Sequence, residues 1–158
     1  MRGFGLTSSD VRVRVSDRRI WTGLFRDLQV SSEQIFAAFR ALDKLDRAGK
    51  EVTEEQFVAA GLSELHRRAI FKVASLAGTD FEAHLDHEAS REGGKALGQV
   101  LMHLDQMGLM EWVDVDLTIV RGLAYYTGTV FELFDAGKTL RAICGGPSAA
   151  YSGPKWSR

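Results

Sequence analysis

Residues 119–146 read IVRGLAYYTGTVFELFDAGKTLRAICGG, and this stretch sets the interpretation of the rest of the chain. An apolar approach, Leu117 to Val120, closes on Arg121 and Gly122, followed by the phenols Tyr125 and Tyr126 and then Thr127 and Gly128. Thr129 to Phe134 is rich in β-branched and aromatic residues and predicts a strand. Asp135, Ala136, Gly137 and Lys138 predict a hairpin turn, and Leu140 to Cys144 a returning strand that ends on Gly145 and Gly146. An arginine fork suits a carboxylate or phosphate, a phenol offers a flat face with one polar tip, and a glycine allows close approach to the backbone. The same residue types also fit a solvated rim arginine and a half-buried tyrosine pair.

The motif RGLAYYTGTVFE followed by RAICGG resembles the paired signature of the histidyl-tRNA synthetases, a family of class II aminoacyl-tRNA synthetases. The resemblance departs from the family pattern at Ala124, where an aspartate is usual, and after Gly146. There the family's third glycine, arginine, tyrosine and aspartate give way to Pro147, Ser148, Ala149 and Ala150. It implies ATP-dependent activation of histidine, with Mg2+ accompanying ATP, and transfer of the aminoacyl group to the histidine tRNA. It assigns Arg121 to charge stabilisation at the α-phosphate. Tyr125, Tyr126, Gly122, Leu123, Thr127, Gly128, Gly145 and Gly146 then bind histidine and its adenylate. A homodimer is implied for the complete enzyme. The alternative is a non-catalytic histidine-sensing paralogue such as the regulatory subunit of ATP phosphoribosyltransferase; Arg121 together with the two tyrosines favours the ligase.

Composition narrows the classes independently. The 158 residues are 45% hydrophobic and 26% charged with a net charge of −1, an ordinary globular balance without a broad basic surface. Single Cys144 excludes an intramolecular disulfide and a cysteine zinc cluster, and reads as a small buried strand residue. No apolar run reaches the roughly 18 residues of a membrane span, and Met1 to Asp10 lacks a signal peptide's apolar centre, so the expected compartment is the cytoplasm.

Upstream, Val11 to Val15 alternate valine with arginine and predict a half-buried strand. Ser16 or Asp17 caps a predicted helix to about Leu28, with Ile20, Leu24 and Leu28 on one stripe beside Trp21 and Phe25. Six arginines and two acids lie between Arg2 and Arg26; they read as a solvated edge, or alternatively as a phosphate-facing patch. VRVRVSDRRIWTGLF also resembles the segment that comes after the ATP-binding strands of the synthetases.

Four further helices are expected. One runs from Ser31 to about Ala48, capped by Ser31 or Ser32, with Ile35, Phe36, Phe39, Leu42 and Leu45 inward, and is broken by Gly49. A second is opened by a Thr53–Gln56 capping box and ends near Gly61. A third runs from Ser63 to Ala77 with Leu65, Ala69, Phe71, Val73 and Leu76 inward. The fourth runs from Arg91 to Met107 with Leu97, Val100, Leu101 and Leu104 inward. His84 and His87, near Asp80, Asp86 and Glu88, have a spacing compatible with zinc, but the spacing is common and no second cluster completes it, so they read as ordinary polar surface and no metal site is assigned. Gly93, Gly94 and Gly98 lack the strand and Ser or Thr of a phosphate loop and predict a helix start or close helix contact.

The expected fold is α+β: part of an antiparallel-sheet class II catalytic domain with a helical insertion. Residues 1–29 and 111–146 supply core, 30–110 the insertion, and 147–158 a divergent tail. The resemblance places the family's first two motifs before Met1, and its third motif and anticodon-binding domain after Arg158. The chain is therefore expected to be an inactive fragment on its own. The tail, PSAAYSGPKWSR, is expected to be poorly ordered, its sequence arising from a frameshift, truncation or gene fragmentation.

Overall fold

The structure, a computed structural model, describes residues 5–120, 128–137 and 142–147. Its frame is a four-stranded sheet in the order β2-β1-β3-β4, formed by β1 (Val11–Asp17), β2 (Val113–Val115), β3 (Thr129–Asp135) and β4 (Cys144–Pro147). β1 pairs antiparallel with β3 from Val11 opposite Asp135 to Asp17 opposite Thr129, and β3 pairs antiparallel with β4. The expected antiparallel hairpin is therefore present. β2 adds a short parallel edge, making the sheet mixed, which the sequence pattern does not announce.

The returning strand is displaced. Its expected span is Leu140 to Cys144, yet Ala142 and Ile143 precede it and β4 begins at Cys144. Pro147 closes the described part of β4 on the outermost strand, where a missing N–H costs the ladder least. Because β4 is an edge, Cys144 is exposed, correcting its reading as a buried residue. Gly137 N–H donates to the Asp135 carboxylate at 3.1 Å, the local turn chemistry expected there. Residues 138–141 and 148–158, with the expectations made for the tail, lie outside the described residues.

α1 (Arg18–Asp27) follows β1 without a loop because Asp17 is both the last strand residue and the helix cap, its carboxylate accepting from Arg19 N–H at 2.9 Å. Ile20, Trp21, Leu24 and Phe25 are buried, and Phe25 meets Phe39 edge-on at 5.3 Å. α2 (Ser32–Leu42) opens with a reciprocal capping box between Ser31 and Gln34. It stops at Leu42, not Ala48, and Phe36, expected inward, is exposed.

α3 (Leu45–Ala59) contains a kink at Gly49, φ 82° and ψ 167°, so the glycine breaks the helical path where expected. Thr53 is not a cap: it is buried inside the helix, its hydroxyl donating to the Gly49 carbonyl at 2.8 Å. The helix resumes directly after the kink, so Thr53 stands one turn inside it and bonds its hydroxyl to the carbonyl four residues back instead of opening a helix.

α4 (Glu64–Ala74) is capped by Ser63 as expected and ends before Ala77, which instead bridges Asp116. Leu65 points outward at 65% exposure, while Ile70, absent from the expected face, is fully buried. α5 (Glu88–Gln106) begins earlier than Arg91, because Asp27 of α1 accepts the Ala89 N–H at 3.2 Å and supplies a cap that no local residue provides. Leu97 and Leu101 are buried as expected; Val100 and Leu104 are only half-buried. α5 packs chiefly on α1, and also on β1, whereas α2 and α3 pack on each other.

Candidate functional site

The sheet has two unlike faces. Val11 and Val15 turn towards the helices and are buried, while Arg12, Arg14 and Ser16 alternate onto the opposite face with Glu132 and Phe134 of β3. The arginines are not a solvated edge. Arg12 makes a forked ion pair with Asp114 of β2, and this bond raises the Arg12 pKa further above its ordinary value. Arg14 reaches Asp46 at 3.0 Å and Asp116 at 3.2 Å, with its guanidinium 4.3 Å from the centre of the Phe134 ring. These pairs correct the expectation of free surface charge: β2, unforeseen in the sequence, supplies Asp114 beside the arginines. Between the β2 edge and the end of α4 lies an open cavity of about 410 Å³, lined by Arg14, Ser75, Thr79, Asp114 and Asp116 among others.

The more constrained place is the end of the sheet where β1 runs into α1. Leu117, Ile119 and Val120 are buried, so the apolar approach to Arg121 is present as read. Trp21 Nε1–H donates to the Leu117 carbonyl at 2.8 Å, and Arg18 Nη1–H donates to the Val120 carbonyl at 3.3 Å. On the far side, Arg18 backbone N–H donates to the Gly128 carbonyl at 3.1 Å, and Thr129 Oγ1–H donates to Asp17 Oδ2 at 2.8 Å. Asp17, fully buried, also takes a forked pair from Arg19. Arg18 lies 4.1 Å over the Phe39 ring, and burial lowers its pKa, since a desolvated guanidinium holds its proton less strongly.

Of the residues assigned to histidine and its adenylate, Gly128, Gly145 and Gly146 are described. Gly128 is buried at the start of β3, and Gly145 and Gly146 lie on β4 opposite Glu132 and Phe131. A Cβ at Gly146 would meet no described atom within 4 Å. Arg121, Gly122, Leu123, Tyr125, Tyr126 and Thr127 lie outside the described residues. What the sequence missed is the frame around them: Asp17 was read as a local cap alone and Arg18 as surface charge. The only sequence signal was the abrupt passage from strict alternation into a helix at Asp17.

The histidine cluster does not converge. His84 Nδ1 lies 3.1 Å from the Asp80 carbonyl, Asp86 pairs with Lys72, and His87 Nδ1 is 3.9 Å from Asp27. Among the described residues no three His, Cys, Asp or Glu side chains form a metal-sized group, and no helix is long and apolar enough to cross a membrane.

The sequence profile of histidyl-tRNA synthetase matches residues 4–147. The chain is 36% identical over 157 residues to the histidine-tRNA ligase of Opitutus terrae, covering 92% of this chain and 35% of that protein. It is 33% identical over 142 residues to the chloroplastic/mitochondrial histidine-tRNA ligase of Arabidopsis thaliana, covering 90% of this chain and 29% of that one. The chain thus spans about a third of the length of these curated relatives. The crystal structure of histidyl-tRNA synthetase from Nostoc superposes with a TM-score of 0.82 at 27% identity, over 91% of this chain and 36% of that one. An ATP phosphoribosyltransferase regulatory subunit/histidyl-tRNA synthetase from Bacillus halodurans shares the fold, with a TM-score of 0.72 at 21% identity, over 90% of this chain and 38% of that one. Profile, relatives and superposition run through the same β1-to-β4 frame that carries RGLAYYTG, and the chain belongs to the histidyl-tRNA synthetase family.

Proposed function

We propose that this chain carries the histidine-recognising part of a histidine-tRNA ligase, which activates histidine with ATP and passes it to the histidine tRNA. The observation that carries the reading is the motif Arg121 to Gly128, with the Val120 and Gly128 carbonyls both bonded by Arg18, in a chain of this family. In adenylate formation the histidine carboxylate attacks the α-phosphate, the bond to the β-phosphate breaks and pyrophosphate leaves, while negative charge accumulates on the α-phosphate oxygens. Arg121 supplies a fixed fork of donors to that charge. Tyr126 hydrogen-bonds the imidazole, Tyr125 lines the pocket, and Gly122, Leu123, Thr127 and Gly128 shape its wall. Gly145 and Gly146 let the substrate lie against β4. ATP with Mg2+, a histidine tRNA, a homodimeric assembly and a cytoplasmic location belong to the same proposal. So does the division into core segments 1–29 and 111–146 around a helical insertion, 30–110.

The full reaction cycle is proposed for a polypeptide that also holds what the other two thirds of the relatives' length supplies. In that assembled enzyme, Arg121→Ala is expected to lower histidine-dependent pyrophosphate exchange about a hundredfold, as loss of a preorganised donor does. Tyr126→Phe is expected to raise the histidine KM with kcat nearly kept, because it removes one hydrogen bond and strands its partner. Unchanged exchange in Arg121→Ala would remove the assigned role. The second reading, a histidine-sensing paralogue, is supported by the fold shared with the Bacillus halodurans protein. Histidine binding without any pyrophosphate exchange in the assembled protein would favour it.

A further inference from the structure

We propose that the helical turn 45–48 is a releasable strap, latched to the sheet by the Asp46–Arg14 ion pair and hinged at Gly49. The turn has little of its own to hold it. A single turn of helix fixes several dihedrals for its first hydrogen bond and is unfavourable in isolation. Here Lys44 supplies no side-chain cap, and Gly49, at φ 82° and ψ 167°, separates the turn from the rest of α3. A Cβ on Gly49 would meet nothing within 4 Å, so the hinge stands in open space. The Arg47 and Ala48 amides both close on the Lys44 carbonyl, at 2.9 and 2.8 Å. The anchors of the turn are Leu45, packed against the core, and Asp46, which accepts from Arg14 at 3.0 Å.

The two partners are unequally held. Arg14 also has Asp116 at 3.2 Å and the Phe134 ring at 4.3 Å, and its side chain is 18% exposed. The Asp46 carboxylate has Arg14 as its one ion-pair partner among the described residues, and its side chain is 62% exposed. When the pair parts, the arginine therefore stays on the sheet and the turn leaves it. An ion pair with so exposed a partner is weak and screened by salt, which suits a latch and not a permanent staple. Arg12 offers the contrast, because its fork with Asp114 joins two adjacent strands and its rupture would release no segment. Arg14 lies opposite Glu132, and Glu132 opposite Gly145, so the latch and Gly145 share one row of the sheet's polar face, about 10 Å apart at two strand spacings. Release of the strap uncovers Arg14 on the face where Gly145 is proposed to meet substrate; the latch itself stands independently of that role.

The test is amide hydrogen exchange on the full chain without ligand, read residue by residue by NMR. Asp46→Asn is expected to speed exchange at Arg47 and Ala48 about threefold, the population shift that an exposed ion pair commands. Amides beyond the hinge, at residues 53–59, and those of α1 and α5 are expected to keep their rates. Raising sodium chloride to about 0.5 M should bring the unaltered chain to the rate of Asp46→Asn and leave the variant where it was, since screening acts on the same pair. Asp46→Glu, which keeps the charge on a longer stem, should recover part of the protection. Unchanged exchange at Arg47 and Ala48 in Asp46→Asn would overturn the latch. Faster exchange spread equally over residues 53–59 would overturn the hinge at Gly49, because Asp46 would then support the whole of α3. Salt that speeds the variant as much as the unaltered chain would show that the turn is held by something other than the ion pair.

Discussion

Two of the helix contacts among the described residues are made by opposite means. α1 and α5 touch backbone to backbone: a Cβ placed on Gly23 would lie 2.3 Å from the Ala89 carbonyl oxygen, and one on Gly93 would lie 2.4 Å from the Ile20 nitrogen. α2, α3 and α4 are joined by ordinary side-chain packing around Phe39, Leu42, Phe57, Ile70 and Val73, and leave Phe36, Val52, Val58 and Leu65 exposed. The first contact tolerates one geometry only, because backbone atoms cannot move aside as a side-chain tip does. The second can be repacked. The rigid contact sits directly behind Asp17, Arg18 and Trp21, which bond Thr129, Val120 and Leu117. The least forgiving packing therefore backs the turn from β1 into α1.

The sharpest way to break that contrast is to add one methyl group on each side of it. Gly93→Ala and Gly23→Ala drive a carbon into main chain and are expected to cost about 3 kcal/mol each, at the upper end of overpacking effects. Chemical denaturation would read the loss as a lower midpoint with an unchanged slope. Gly49→Ala, in α3, meets nothing within 4 Å, so its cost is conformational only: φ 82° with ψ 167° is a region that alanine avoids, worth roughly 1–2 kcal/mol. Equal costs at Gly93 and Gly49 would mean that α1 and α5 can separate to admit a side chain, and the contrast would fall.

The sequence disclosed this molecule unevenly, for physical reasons visible at single residues. β1 and α1 were legible because period-two alternation and a stripe at 3.6 both depend on local residue order, and Ser63 announced α4 in the same way. The Thr53–Gln56 pair has the spacing of a capping box, but Gly49 had already turned the chain and restarted the helix, which places Thr53 inside it with its hydroxyl on the Gly49 carbonyl. Leu65 fits an apolar face by spacing alone; it stands in the first turn of α4, where no neighbouring element covers it and Ile70 takes the core position. Arg12 and Arg14 looked like surface charge because their partners are distant in sequence: Asp114 on a strand too short to show a period, Asp116 just after it, and Asp46 in α3. The same distance hid the frame of the site. The family signature was readable at once, whereas the contacts of Asp17, Arg18 and Trp21 exist only when Leu117, Val120 and Thr129 are brought against them. For Arg121, Tyr125 and Tyr126 the sequence and the family supply the reading.

The smallest effect is expected where the two regions are tied together by charge. Lys72 of α4 donates to the Asp86 carboxylate just ahead of α5, and both side chains are more than half exposed. The hydrogen bond from Lys72 is the main cause holding the Asp86 pKa below its ordinary value, followed by the attraction of the same ammonium. A carboxylate whose pKa is lowered by folding contributes stability above its unfolded pKa and loses it as pH falls through the folded one. Asp86→Asn should therefore lower the Tm slightly at pH 7, and this difference from the unaltered chain should vanish once the solution is well below the usual carboxylate range of about 4. Added salt at pH 7 should shrink it as well, because water and ions reach both partners. A difference that persists at low pH and high salt would show that Asp86 holds α4 to α5 by something other than its charge, and the tie between the repackable helices and the rigid pair would have to be sought in packing instead.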